Sequence, residues 1–228
     1  NNTLRQLTTT NSSSSALVIN ALGNVAFNDT VSVTGDMSVT SSGNISQTAT
    51  LTIGGASSFD TSASTGTITL TQANAFTGAV TLSSGTGAAQ LTDSTDTILA
   101  ASTLGGNLTV TSSGAITQTG ALSVTGTSSF TVSSANAMTL TNTSNSFTGA
   151  VTLSSGTGAV QLTDSSDTIL AASTLSGNLT VTSSGAITQT GVLSVAGTSS
   201  FTVSGSNAMT LTQANTFTGA VTLSSGTG

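Results

Sequence analysis

The chain contains no Cys, Pro, His, Trp or Tyr, no Glu and no Lys, and its one basic side chain is Arg5. Without cysteine there is neither a disulfide framework nor a thiolate metal site. That absence does not fix a compartment, because large bacterial surface proteins dispense with disulfides. Contact with a nucleic-acid backbone requires Lys and Arg to displace condensed counterions, so a net charge of −6 with a single arginine excludes nucleic acid as a partner. The same poverty argues against electrostatic docking on an anionic bilayer, and no apolar run reaches the roughly eighteen residues that a membrane span needs. Charged residues make up only 4% of the chain while hydrophobic ones make up 36%, so the signature of disorder is missing and a packed core is expected.

What fills the sequence instead is Ser, Thr, Gly, Ala and Asn, arranged in a long tandem repeat. The segment from Phe76 to Gly87 (FTGAVTLSSGTG) returns from Phe147 to Gly158 and again from Phe217 to Gly228, at steps of 71 and 70 residues. The shorter step reflects one residue lost between Asn142–Ser146 and Gln213–Thr216, a polar connection where loops tolerate deletion. A more divergent copy lies upstream, with Gly35–Gly43 matching Gly106–Gly114 and Phe59 matching Phe130. The expected organisation is a divergent start over 1–34, a divergent repeat over 35–75, repeats over 76–146 and 147–216, and the start of a further, truncated repeat over 217–228. Gly228 corresponds to Gly158, beyond which the previous copy runs on. The sequence therefore reads as a window on a longer repetitive polypeptide, with any targeting segment outside it.

Within each copy the local pattern is apolar–polar–apolar, as in Val80-Thr81-Leu82, Leu108-Thr109-Val110 and Phe130-Thr131-Val132, which is the period-two signal of half-buried strands. Ser-Ser-Gly, Thr-Gly and Ser-Ala-Asn between them are turn material. A sandwich domain needs about 100 residues and a propeller blade about 40 to 50, so a 71-residue unit suits neither. It suits a parallel β-helix with about three coils per 70–71-residue repeat, averaging about 24 residues each, with a four-coil division also open. One register groups Val80, Leu108, Phe130 and Val151; a second Leu91, Ile116, Met138 and Leu162; a third Ile98, Leu122, Phe147 and Ile169. In such a stack each outward residue meets its counterpart about 4.8 Å away. Like charges would repel at every step whereas Ser, Thr and Asn hydrogen-bond along the column, so scarcity of charge follows from the fold.

Candidate chemistry is sparse. Carbohydrate-active sites on β-helices need paired carboxylates, or calcium beside a basic residue; with no Glu, His or Lys, no catalytic or cofactor-binding residue is expected. Asp93-Ser94-Thr95-Asp96 and its copy Asp164-Ser165-Ser166-Asp167 are weak calcium candidates, since calcium takes six to eight oxygens. They read equally as capping boxes that start a short helix over 97–104, or as solvated corners leading into a strand. Thr-x-Thr triplets at Thr109–Thr111, Thr139–Thr141 and Thr210–Thr212 invite an ice-binding or carbohydrate-binding reading against the plainer one of Thr as an outer strand residue. Asn44, Asn107 and Asn178 begin Asn-x-Ser/Thr sequences at turns where a glycan could sit.

Residues 35–228, with GNLTVTSSGAITQTG from Gly106 to Gly120 and its copy from Gly177 to Gly191, resemble the repetitive passenger regions of filamentous-haemagglutinin-like and autotransporter adhesins. The resemblance implies a right-handed parallel β-helix at the surface of a Gram-negative bacterium, serving as an adhesin stalk or matrix filament. The unpaired strand edge at each end of such a coil stack would pair with further repeats of the same chain or with identical chains stacked end to end, and surface glycans are the other expected partner. No functional residue carries over. Three readings follow: a structural fibre, a carbohydrate- or ice-binding module with a ranked Ser/Thr/Asn face, and short subunits stacked into a filament.

Overall fold

The computed structural model describes residues 16–226. They form twenty-eight short strands and, among the described residues, no helix. The strands pair in parallel into two fourteen-stranded sheets that run the length of the molecule, one over Leu17–Ala21 to Val221–Ser225, the other over Val25–Phe27 to Thr216–Phe217. Successive strands of the chain fall mostly on alternate sheets, so each turn of the chain lays a new rung on the last. This is a parallel β-helix of the kind the alternating pattern predicts.

One coil is a straight five-residue strand on one sheet and two three-residue strands, joined by a bend, on the other. In the first coils Leu17–Ala21, Met37–Ser41 and Ser57–Thr61 are the straight sides of the first sheet, and Val25–Phe27 with Val31–Val33, then Ile45–Gln47 with Leu51–Ile53, are split sides. In the third coil the split side is the single long strand Ile68–Phe76, which bulges where it meets Ala89–Asp93. Then Val80–Ser84 and Ala89–Asp93 follow one another, both straight and on opposite sheets. From there the arrangement is reversed: Thr97–Leu99 with Ser102–Leu104 and Ile116–Gln118 with Leu122–Val124 are split sides of the first sheet, and Leu108–Ser112 and Ser128–Val132 are straight sides of the second. Val151–Ser155 followed by Val160–Asp164 reverses it again.

The ladders refine the count of coils. Val80 stacks against Leu99, Leu99 against Gln118, Ile116 against Met138 and Leu140 against Leu162, all on the first sheet. Val151, one repeat on from Val80, lies on the second sheet between Ser128 and Leu170. A repeat therefore makes three and a half turns, and successive repeats present equivalent residues on opposite sheets. Register steps are 19 to 23 residues, shorter than the 24 that division by three suggests. The trial grouping is corrected accordingly. Val80 belongs to a different sheet from Leu108, Phe130 and Val151, Leu91 to a different sheet from Ile116, Met138 and Leu162, and Ile98 and Ile169 are the half-buried middle residues of their strands rather than core. Phe147 and Val151, only four residues apart, do sit on separate sheets, because corners here need only three residues.

One continuous apolar core fills the interior. Its largest members recur with the repeat: Phe59 meets Phe76, Phe130 meets Phe147 and Phe201 meets Phe217 edge to face, with ring centroids 5.9–6.0 Å apart. That spacing and tilt place the positive ring edge on the negative ring face. Each pair ties a straight strand to the second half of the split side opposite.

Candidate functional site

The two Asp clusters sit where the coil reverses, and their members part company. Asp93 and Asp164 end the second of two consecutive straight strands with their side chains inside, both 0% exposed. Asp93 Oδ1 accepts hydrogen bonds from the Thr95 backbone N–H (3.0 Å), the Thr95 hydroxyl (2.8 Å) and the Phe76 N–H (3.4 Å), and Oδ2 accepts from the Thr97 hydroxyl (3.4 Å). Asp164 repeats this with Ser166 N–H and hydroxyl, Phe147 N–H and Thr168 hydroxyl. Burial pushes both carboxyls above the ordinary carboxylate value; the hydrogen bonds to Thr95, Phe76 and Thr97, and to Ser166, Phe147 and Thr168, pull partly back. Neither begins a helix. The segment after each is a pair of strands, Thr97–Leu99 with Ser102–Leu104 and Thr168–Leu170 with Ser173–Leu175, because a 3.6-residue period would turn Thr97, Leu99, Ser102 and Leu104 away from one shared interior face.

Asp96 and Asp167 point the other way. They stand on exposed corners, where Oδ1 accepts the backbone N–H of Ala115 or Ala186 on the next coil, each at 2.8 Å. Asn24, Asn44, Asn107 and Asn178 do the same for Asn44, Thr67, Thr127 and Thr198, and Asp36 for Ala56. The sequon asparagines are thus corner ladder residues, exposed but with Oδ1 engaged. Aspartate and asparagine are interchangeable there, since only the acceptor oxygen is used. Among the described residues no three His, Cys, Asp or Glu side chains gather into a cluster that could hold a metal ion.

The structure adds residues that the sequence reading passed over. Gln47 and Asn74 form a reciprocal amide pair, Gln47 Nε2 to Asn74 Oδ1 at 2.7 Å and Asn74 Nδ2 to Gln47 Oε1 at 2.9 Å. Asn74 Oδ1 also accepts the Leu51 N–H, while Nδ2 donates to the carbonyls of Leu70 and Thr92. Gln118 with Asn145, and Gln189 with Asn215, repeat the pair. The bend in a split side strands backbone groups inside the rod, and these amides supply their partners. One coil later Ser94 and Ser165 bind the carbonyls of Asn74 and Asn145 through both N–H and hydroxyl. Gln, Asn and Asp therefore form one buried polar node at each reversal. The signal was available: Gln47, Gln118 and Gln189 recur at steps of 71, each two residues after an isoleucine and so at an inward position of the alternation.

Of the three Thr triplets, only Thr109–Thr111 belongs to a rank on a straight strand. It lies between Gln90/Thr92 and Ser129/Thr131, which in turn meet Thr152/Ser154. The outer column continues to Thr174, Ser194 and Thr216, giving hydroxyls on seven successive rungs. Thr139 faces Gln161, and Thr141, Thr210 and Thr212 lie outside the strands.

The repeat is also recognised at the level of sequence. Residues 6–83, 86–154 and 157–224 match the profile of the family described as repeats of unknown function (DUF5649). The chain belongs to that family. The DUF5649 matches start 71 residues apart in the second and third copies, the spacing at which the polar nodes and phenylalanine pairs recur. No curated protein and no solved structure gives a significant match to the chain. A repetitive β-solenoid of this kind fits a structural role.

Proposed function

We propose that the chain is a shaft segment of a long extracellular or cell-surface fibre, an adhesin stalk or matrix filament of a Gram-negative bacterium. Its action is mechanical rather than catalytic. The observation that carries this reading is the ladder running unbroken from Leu17–Ala21 to Val221–Ser225. Ten steps of about 4.8 Å make a rod about 48 Å long, and every rung adds backbone hydrogen bonds and buried apolar surface. Further repeats of the same chain, or identical chains stacked end to end, would lengthen it. The resemblance to adhesin passenger repeats supplies the location. Gold-labelled antibody against residues 16–226, applied to intact producing cells, should decorate surface filaments; label confined to the interior of permeabilised cells would refute the assignment.

A second reading rests on the seven-rung hydroxyl column from Thr92 to Thr216. A ranked, uncharged Ser/Thr face suits a repeating ligand such as a polysaccharide strand or an ice surface. Binding on a glycan array, or shaping of ice crystals, that is lost in T111V/T131V favours that reading over a purely mechanical one.

A further inference from the structure

We propose that Asp93 and Asp164 make each reversal of the coil a proton-operated lock, looser when the carboxylate is charged and closed when it is neutral. The argument starts from charge. Both side chains are fully enclosed, and a buried ion is ordinarily matched by a counter-ion. None is within reach of the sequence: the strands packed around Asp93 are Ile68–Phe76, Thr97–Leu99 and Leu108–Ser112, and they carry no ionisable side chain. Those around Asp164 are Met138–Leu140, Ser146–Phe147, Thr168–Leu170 and Leu179–Ser183, with the same result. The nearest charges along the chain, Asp96 and Asp167, are of the same sign and sit on the exposed corners. Only neutral donors, two N–H groups and two hydroxyls, face each carboxylate.

The geometry also accepts a neutral carboxyl. Oδ1 takes three of the four donors, and Oδ2 faces a hydroxyl, Thr97 or Thr168, which can turn to accept a hydrogen bond as readily as donate one. Protonation on Oδ2 therefore keeps every contact while removing the buried charge. Because folding raises the affinity of these carboxyls for a proton, the folded form holds more protons than the unfolded one between the ordinary carboxylate value of 3.8 and the raised folded value. Stability at the node is then fully present below the lower value and is lost as pH rises through the upper one. The rod tightens in mild acid, at sites spaced one repeat apart.

The test is hydrogen exchange of the full chain, corrected for intrinsic rates, between pH 4.5 and 8. Protection of the node amides Phe76, Ser94 and Thr95, with Phe147, Ser165 and Ser166, should rise as pH falls, by up to about tenfold per pH unit, the limit for one proton. Amides in mid-repeat, such as Val110 and Val181, should show less of the change. D93N/D164N, which holds a neutral side chain with Oδ1 in place, should be as protected at pH 8 as the native chain is in acid, and flat with pH. D96N/D167N, at the exposed corners, should keep the native slope. Node protection that is flat with pH in the native chain, or a slope that survives in D93N/D164N, would overturn the proposal; the native profile alone decides it if that variant does not fold.

Discussion

At the scale of single residues the repeat carries small, recurring imperfections whose removal has a predictable sign. Ser57, Ser128 and Ser199, one repeat apart, face the core and have hydroxyl oxygens without a hydrogen-bond partner among the described residues. A buried unpaired hydroxyl costs about 1–3 kcal/mol, so Ser128→Ala should stabilise by about 1 kcal/mol, read as a higher denaturant midpoint at unchanged slope. Ser134 illustrates another kind. Its φ of 58° is left-handed, and the equivalent residue of the next repeat is Gly205, at φ 61°. Glycine at corners serves close approach as well: a Cβ on Gly114 would stand 2.2 Å from Asp96 Oδ1 and 2.6 Å from the Asp96 nitrogen. Gly114→Ala should therefore push Asp96 off the Ala115 N–H and cost about 1–3 kcal/mol in chemical unfolding. The sequence displayed the Ser-Ser-Gly turns plainly, but the stacking of Gly43, Gly114 and Gly185 on an Asn or Asp of the coil below, and of Gly85 and Gly156 on a serine, appears only once the register is known.

At the scale of elements, the strands were legible and their assignment to sides was not. Alternation of apolar and polar residues identifies Val80-Thr81-Leu82 or Leu108-Thr109-Val110 as strands because the period of two is local. Which strand lies beneath which depends on the length of each corner, and differences in corner length, three residues in most and six at 62–67, shift the register without leaving a local mark. The reversal at Ala89–Asp93 was hidden for the same reason: two straight strands in succession look like any others. Asp93 was legible as a feature of the repeat, but not as buried, since an Asp beside Ser and Thr usually reads as a solvated corner. The amide pair behind it is predicted to be essential to the bend. Asn145→Leu deletes the partners of Gln118, of the Leu122 N–H and of the Leu140 and Thr163 carbonyls at once. It should cost about 3 kcal/mol or more, with hydrogen exchange accelerating first at 118–122 and 163–165.

At the scale of the whole molecule, the half-integer turn count is open to direct measurement. Spin labels at Thr111 and Thr182, equivalent residues of successive repeats, should lie on opposite sheets, separated by an axial rise of about 17 Å and by the full thickness of the rod. Labels at Thr111 and Thr174, three rungs along one column, should be only about 14 Å apart on one face. Equal distances for the two pairs would rule out the alternation.

That alternation bears on the shape of a long fibre. A coil with one straight and one bent side is lopsided, and any small wedge between its rungs, added in the same direction turn after turn, would curl a solenoid into an arc. Here the next repeat places the same wedge on the far side. Two repeats related by a twofold screw along the axis cancel one another's curvature, so a chain of many repeats stays straight although no single coil in it is symmetric.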